Sequence, residues 1–442
     1  MIHLFFYNLF LAAYWAGVRI IGIQNKKARA WILGRFNWKA KLQKAIAVIS
    51  NKTNGKTQTV WMHCSSLGEF EQGRPVIEKL KAQSQNFVTI VSFFSPSGYE
   101  VMKNYKGADV VCYLPMDSPG NAKAFVGIIQ PTLVLWVKYD YWFYYLKEIH
   151  SRKIPLLLIS GTFRPGQPFF KWHGKLHRLM LHTFSHLFVQ NESAMALAAQ
   201  IIDAHKISVS GDTRFDRVVA IAEQFSPLPL VEKWLGETKQ VLVAGSTWDE
   251  DEKELIHYAK LHPGVKFIIA PHNVNEEEIK ELLKFFPGAV LFSNIDKQQQ
   301  TFGNNLKLQQ ENSGEDRRLK NVLIIDNVGI LARLYYYATV CYVGGGFGAD
   351  GVHNVLEAAV YSKPVVHGPE YEKYAEAKGL VAAGAAFEIE DALELEDVLN
   401  KLFSDADFYK EAATAAGEFV YSQQGPTRKV VDYIYINRLL TN

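Results

Sequence analysis

Two stretches hold the residues whose types and spacing could do chemistry. The first is Trp61-Met62-His63-Cys64-Ser65-Ser66-Leu67-Gly68-Glu69. An apolar run ending near Cys64 reads as a strand, small residues make a turn, and a helix begins near Glu69. This sets a carboxylate at a strand-to-helix loop, the edge where parallel sheets bind ligands. A hydroxyl nucleophile needs a base within hydrogen-bond reach as its proton leaves. A partly desolvated glutamate, lifted from its ordinary pKa of about 4.3, would serve. A first-turn acid also favours the helix dipole, so Glu69 reads equally well as a capping residue.

The second stretch is Tyr342-Val343-Gly344-Gly345-Gly346-Phe347-Gly348-Ala349-Asp350-Gly351-Val352-His353-Asn354, with Glu357 just beyond. It reads as a strand, a Gly-rich loop and a helix carrying Glu357. Glycines let backbone approach a phosphate closely, and helix N-terminal amides then face the anion. Glu357 could take both ribose hydroxyls of a nucleotide. Gly346–Gly351 also spells GxGxxG, and Glu370 stands about 20 residues on, as a dinucleotide site requires. A tight turn without a ligand is the remaining reading.

Weaker candidates sit at other strand ends. Gly211-Asp212-Thr213-Arg214-Phe215-Asp216 could bring Arg214 to the ligand edge. In Gly245-Ser246-Thr247-Trp248 the hydroxyls of Ser246 and Thr247 could cap a helix or touch phosphate. Asp326-Asn327-Val328-Gly329 reads as an N-cap followed by a helix. Val137-Lys138-Tyr139-Asp140-Tyr141-Trp142 ends a strand in a charged, aromatic turn. Between Glu148 and Glu192 there is no acidic residue, while Arg152, Lys153, Arg164, Lys171, Lys175 and Arg178 alternate with Phe169, Phe170 and Trp172. Such a face suits an anionic headgroup or acceptor phosphates, or it is simply solvated.

The elements that must position these residues follow from the rhythm of the chain. At 442 residues, two or three domains are expected. Short apolar runs alternate with helical segments from Thr59 onward, seven before the midpoint and seven after. That pattern predicts an α/β fold of parallel sheets. Gln224-Phe225-Ser226-Pro227-Leu228-Pro229 interrupts it. The expected division is therefore residues 1–35 as a membrane anchor and basic flank, 36–222 as one Rossmann-like domain and 223–442 as another, facing a common cleft. The polar stretch Asn294–Lys320 reads as an insertion in the second domain.

Composition excludes several classes. Apolar residues make up 48% and charged residues 21%, the balance of a folded globular chain. A net charge of +3 and the absence of any nucleic-acid module argue against DNA or RNA as partner. Cys64, Cys112 and Cys341 are scattered singly, so neither a zinc site nor a disulfide framework is expected. The charge is unevenly placed. No acid precedes Glu69, whereas that stretch holds ten Lys and Arg, leaving −7 for the rest. Ahead of most of these lies the apolar, aromatic run Ile2–Ile23, about the 20 residues a membrane helix needs. Basic residues after it predict a cytoplasmic side, where anionic inner-membrane lipid attracts them. Spanning and lying in the interface both remain open.

In order and spacing, these motifs resemble the 3-deoxy-D-manno-octulosonate (Kdo) transferases of lipopolysaccharide biosynthesis. Trp61, His63, Ser66, Gly68 and Glu69 match that family's W-x-H-x-x-S-x-G-E signature. Asp140-Tyr141-Trp142, Gly211 to Asp216, Gly245-Ser246-Thr247, Asp326 with Gly329, Gly344-Gly345 with His353-Asn354 and Glu357, and Gly368-Pro369 also correspond. Departures are Arg214 for Lys, Pro271-His272-Asn273 for Pro-Arg-His, Ile330 for Glu and Lys138 for Glu. The resemblance implies a GT-B fold, CMP-Kdo as donor, a lipid A precursor as acceptor, and inversion at the anomeric carbon without metal or cofactor. It implies Glu69 and Asp140 as catalytic residues. Donor binding would fall to Arg214, Ser246, Thr247, Pro271, His272, Gly329, Gly344, Gly345, Gly346, His353, Asn354 and Glu357. Ser66, Gly68 and Arg164 would contact the acceptor. Place and partners would be the cytoplasmic face of the cell inner membrane.

Overall fold

The computed structural model describes residues 2–53, 58–84, 86–138, 140–295 and 319–440. Most of the polar insertion, residues 296–318, lies outside the described residues. The chain divides into two units, one of residues 1–217 with 425–442 and one of residues 218–424.

The first unit is built on a seven-stranded parallel sheet: β1 (Gln58–Cys64), β2 (Phe87–Phe93), β3 (Val110–Tyr113), β4 (Leu133–Val137), β5 (Leu156–Gly161), β6 (His186–Val189) and β7 (Ile207–Val209). Their order is β3-β2-β1-β4-β5-β6-β7. Strand β4 is apolar throughout, β2 is apolar but for Thr89 and Ser92, and both are buried at every residue, because helices cover both faces of the sheet. The order reverses between β1 and β4, where crossovers leave in opposite directions and open a crevice at the carboxyl ends. The signature loop follows β1 and the Asp140 turn follows β4, so the two lie side by side at this switch point.

The second unit repeats the plan with β8 (Val241–Thr247), β9 (Lys266–Pro271), β10 (Val290–Leu291), β11 (Val322–Ile324), β12 (Val340–Val343), β13 (Val365–His367) and β14 (Ala386–Glu388). The order is β10-β11-β9-β8-β12-β13-β14, all paired parallel. Here β8 and β12 are neighbours, and they deliver Ser246–Trp248, at the carboxyl end of β8, and the Gly-rich loop to adjacent positions. Every one of the fourteen expected strands is present, and each unit is a Rossmann-like α/β domain.

One expectation needs correction: the chain after residue 222 does not all belong to the second domain. The last helix, Pro426–Ile436, buries Val430, Val431 and Ile434 in the core of the first unit, together with Val60, Met62, Ile77 and Phe188. Its start is fixed by Asp216, whose carboxylate accepts the amides of Gly425 at 2.7 Å and Thr427 at 2.6 Å. The first crossing between units falls after Arg217, within the helix Arg214–Glu223 and just ahead of the proline-rich break at 224–229. The return at Gly425 is a single left-handed glycine before Pro426, too slight a signal to read.

The N-terminal segment forms two helices on the first unit, α1 (Ile2–Ile21) and α2 (Lys26–Arg35). One stripe of α1 faces inward: Leu11 is buried, and Tyr7 donates to Asp117 at 2.6 Å and accepts the Phe143 amide at 3.2 Å. The opposite face leaves Phe5, Phe6, Leu9, Phe10 and Ile20 exposed. Trp31 of α2 is buried against Tyr14 and Phe94. Arg35, expected in a lipid-facing basic flank, instead turns inward.

Candidate active site

Glu69 sits in the first turn of the helix Leu67–Gln83, which Ser66 caps by accepting the Glu69 amide at 3.4 Å. The hydroxyl of Ser66, expected to meet an acceptor, is therefore a helix cap. Gly68 is exposed with open space where a side chain would stand. The Glu69 carboxylate folds back to accept the amide of Ser65, and the Ser65 hydroxyl donates to Asp140. One serine thus joins the two expected catalytic carboxylates. Ser65 was not among the expected site residues, although it lies inside the signature, because only the β1–β4 adjacency shows what its hydroxyl reaches.

Burial governs the chemistry of the pair. Glu69 is 8% exposed. Burial first, then the Asp140 charge, push its pKa up to about 8, against opposing effects of the Ser65 and Ser66 amides and Lys138. Asp140 is also raised by burial, offset in part by the Ser65 hydroxyl. A carboxylate poised near neutrality accepts a proton more readily than an ordinary one. One side chain thus stands in the first turn of the helix and holds a carboxyl raised toward neutrality.

Behind the pair, His63 is fully buried and held neutral, its pKa pushed down to about 3 by burial. Ser92 accepts the Trp61 indole N–H at 2.8 Å and meets His63 Nδ1 at 2.9 Å. These signature residues therefore brace the floor under the loop.

Arg214 belongs to the same unit as Glu69, not to the unit carrying the Gly-rich loop. Its guanidinium is paired with Asp212 at 2.7 Å. Burial would raise Asp212, but Arg214 and Lys138 outweigh it and hold the carboxyl below its ordinary value. Arg164 lies on the exposed loop after β5, its amide donating to Gln167 at 3.0 Å. No hydrogen bond links it to Glu69 or Asp140 among the described residues.

The Gly-rich loop differs from expectation in two ways. First, most of its glycines answer to packing. A Cβ on Gly344 would stand 2.4 Å from Ser246 O, and one on Gly346 would stand 2.6 Å from Gly368 N. Gly345 and Gly351 have φ of +89° and +81°. The loop amides of Gly344, Gly348, Gly351, Val352 and His353 all serve backbone carbonyls. The Gly345 amide donates at 2.9 Å to Asp251, a buried acid that also accepts from Tyr342 at 2.7 Å and from the Trp248 amide at 2.9 Å. Asp251 was missed because it lies in the acidic run Asp249–Glu252, which reads as a solvated first turn. Second, the helix carrying Glu357 is one turn, Leu356–Ala359, so it has little dipole to offer a phosphate.

Two consecutive amides, those of Gly346 and Phe347, make no hydrogen bond among the described residues. Beside them Asn354 donates to Glu357 at 3.0 Å. The Trp248 indole donates to His353 at 3.0 Å, and His272 stacks on both rings with centroids 4.5 Å away. These rings form a flat aromatic face at the ends of β8 and β9. Of the other expected donor residues, Thr247 is buried with its hydroxyl on Glu252 at 3.0 Å, and Ser246 has a left-handed φ of +55°. Pro271 closes β9, and the His272 amide donates to Thr247 O at 2.9 Å. Gly329 takes φ +93° ahead of the helix Leu331–Leu334. Asp326 does not cap that helix, as expected, but accepts the Ser293 amide at 3.0 Å.

The GxGxxG at Gly346–Gly351 lacks what a dinucleotide site requires, since no full helix opens on it. Glu370 is used through its backbone, its amide donating to Gly346 O at 2.8 Å and its carbonyl accepting from Val352 at 2.9 Å.

Comparison with known proteins agrees with this layout. Residues 36–217 match the family described as 3-deoxy-D-manno-octulosonic-acid transferase (kdotransferase). The chain is 25% identical over 352 residues to the 3-deoxy-D-manno-octulosonic acid transferase of Aquifex aeolicus, covering 78% of this chain and 86% of that one. It is 25% identical over 381 residues to that of Bordetella pertussis, covering 84% and 86%. A bifunctional glycosyltransferase/methyltransferase of Fusobacterium nucleatum is 25% identical over 372 residues; the match covers 80% of this chain and spans about half of that protein, 55%. Among solved structures, a UDP-GlcNAc 2-epimerase from Neisseria meningitidis shares the fold with TM-score 0.59 and 15% identity, covering 86% of this chain and all of that one, 100%.

Proposed function

We propose that this chain, which carries a kdotransferase domain at residues 36–217 and is homologous to Kdo transferases over about four-fifths of its length, moves Kdo from CMP-Kdo to a lipid A precursor. The observation that carries the reading is the buried Glu69, joined through Ser65 to Asp140 at the switch point of the first sheet. In this reading Glu69 takes the proton of an acceptor hydroxyl as that oxygen attacks the anomeric carbon. The bond to the CMP phosphate breaks on the opposite side, so configuration inverts. A sugar already activated as its CMP ester brings its own leaving group, and the proposed reaction calls for no cofactor or metal.

The amides of Gly346 and Phe347 are the donor-phosphate contacts in this scheme, and they replace the helix dipole as the source of anion stabilisation. Glu357, oriented by Asn354, takes the ribose. The Trp248–His272–His353 face suits a nucleobase, which stacks on aromatic rings. Glu357→Ala should weaken CMP binding by about 10-fold to 100-fold, the loss of a charge-assisted hydrogen bond. Titration calorimetry checks this, and an unchanged affinity would leave Glu357 a structural role only.

The N-terminal helix gives the reading its place. One stripe of α1 is fastened to the first domain while the opposite stripe is exposed and apolar. A helix held along one side favours, in this reading, lying in the interface of the inner membrane on its cytoplasmic face over crossing it. Lys26, Lys27 and Arg29 follow it and meet anionic lipid. Removing residues 1–23 should abolish sedimentation with anionic vesicles. Continued sedimentation would move the attachment to the basic stretch between Glu148 and Glu192.

The test of the whole reading is direct. CMP-Kdo, a purified lipid A precursor and the protein should give a product heavier by Kdo, read by mass spectrometry. CMP should raise the melting temperature. Stabilisation by NAD without any by CMP would overturn the assignment.

A further inference from the structure

We infer that Arg35 is a positioning residue for the Glu69–Asp140 pair, so that the α1–α2 segment builds the catalytic centre as well as attaching the protein. The guanidinium donates to Phe94 O at 2.6 Å, Leu114 O at 2.9 Å and Trp31 O at 3.1 Å. It lies 3.8 Å from the centre of the Trp31 ring, with Phe94 and Tyr113 at 4.7 and 4.8 Å. No carboxylate pairs with it among the described residues. Enclosing a cation among carbonyls and rings alone is costly, and burial lowers its pKa to about 9. The neighbouring Gly34 is equally committed, since a Cβ there would stand 2.1 Å from the Tyr113 ring.

What this contact holds is one peptide group. Phe94 and Ser95 share it: the Phe94 carbonyl accepts from Arg35, and the Ser95 amide donates to Ser65 O at 2.7 Å. Ser65 in turn gives its amide to Glu69 and its hydroxyl to Asp140. The Phe94–Ser95 peptide, held by Arg35 on its carbonyl side, thus fixes the position of Ser65 from its amide side. Arg35 is therefore three hydrogen bonds away from each carboxylate, by way of one peptide group and one serine. It touches neither. Its planar fork reaches three carbonyls at once, which a lysine ammonium on the same stem does not reproduce.

This inference rests on the proposed transferase reading for its kinetic test and stands apart from it in a spectroscopic one. With CMP-Kdo and a water-dispersed acceptor, R35K should lose about 100-fold in kcat, the cost of roughly 1 Å of misplacement, while KM for the donor stays within about twofold. Vesicle sedimentation should be unchanged, because α1 is intact. The Glu69 carboxyl, followed by infrared difference spectroscopy against E69Q, should titrate at higher pH in R35K than in the parent. Loosening the Ser65 amide removes a bond that favours the ionised form. This titration needs no turnover. R35M serves as the second variant, with circular dichroism confirming its fold. An unmoved Glu69 titration in folded R35K overturns the inference, as does a parental kcat in an active enzyme. A parent that titrates as expected but transfers no Kdo overturns the reaction assigned, and leaves the infrared result to decide the role of Arg35.

Discussion

Glu69→Gln should reduce kcat by about 10²-fold to 10⁴-fold, the usual worth of a general base, and leave CMP affinity within about twofold. The amide keeps the volume and can still accept the Ser65 amide, so the loop should hold its shape. Only the proton acceptor is lost. The same residue sets a pH dependence. With its carboxyl pushed up to about 8, Glu69 is protonated below that pH and the parent rate should fall as pH falls through it. The residual rate of the Gln variant should lack that limb. Stability should run the other way. The folded pKa lies above the unfolded one, so the stabilising contribution is complete below about 4.5 and is lost as pH rises through about 8. Melting temperatures across that window should show Glu69→Gln gaining on the parent as pH rises. Parental turnover in the variant would remove Glu69 from the mechanism.

The second large effect is expected in the other domain. Gly346→Ala should weaken CMP binding by at least about 30-fold and destabilise residues 218–424 by about 1–3 kcal/mol, the cost of overpacking. A Cβ there would meet Gly368 N, Cα and C at 2.6, 2.7 and 2.9 Å, all backbone atoms that no rotamer change can move. The loop would have to lift off β13. That displaces the two amides assigned to the phosphate. Hydrogen exchange should show faster opening around β12 and β13 with the first domain unchanged. Parental CMP affinity in a folded Gly346→Ala would show that those amides do not hold the donor.

The strand plan was legible in the sequence, because strands covered on both faces are written as largely apolar runs. The shortest of them, β10, is only Val290–Leu291, at one edge of the second sheet. The pairing of Glu69 with Asp140 was legible only through family resemblance. They are far apart in the chain, and the serine that joins them is one small residue in a turn. The glycines misled in part. Glycine permits close approach by any neighbour, and here the neighbours are mostly the protein's own backbone. Asp326 misled for a related reason: a short acid before a helix satisfies a capping pattern, yet it can bond a distant serine instead. The inward turn of Arg35 was invisible beside nine other basic residues of the same segment.

The return of the last helix makes the second unit an insertion within the first. The first domain is thus discontinuous, its β1 face left open until Val430, Val431 and Ile434 arrive. On the ribosome the order of completion is inverted: the domain begun first is finished last, after the whole second domain has emerged. The ends of the insertion also meet, since Asp216 grips the amides of Gly425 and Thr427. A short bridge from Arg217 to Gly425 would therefore close the first domain on itself, and residues 218–424 form one continuous piece of chain. The two halves of the proposed reaction are in this sense separable by gene surgery at the two chain crossings, Arg217–Val218 and Gln424–Gly425.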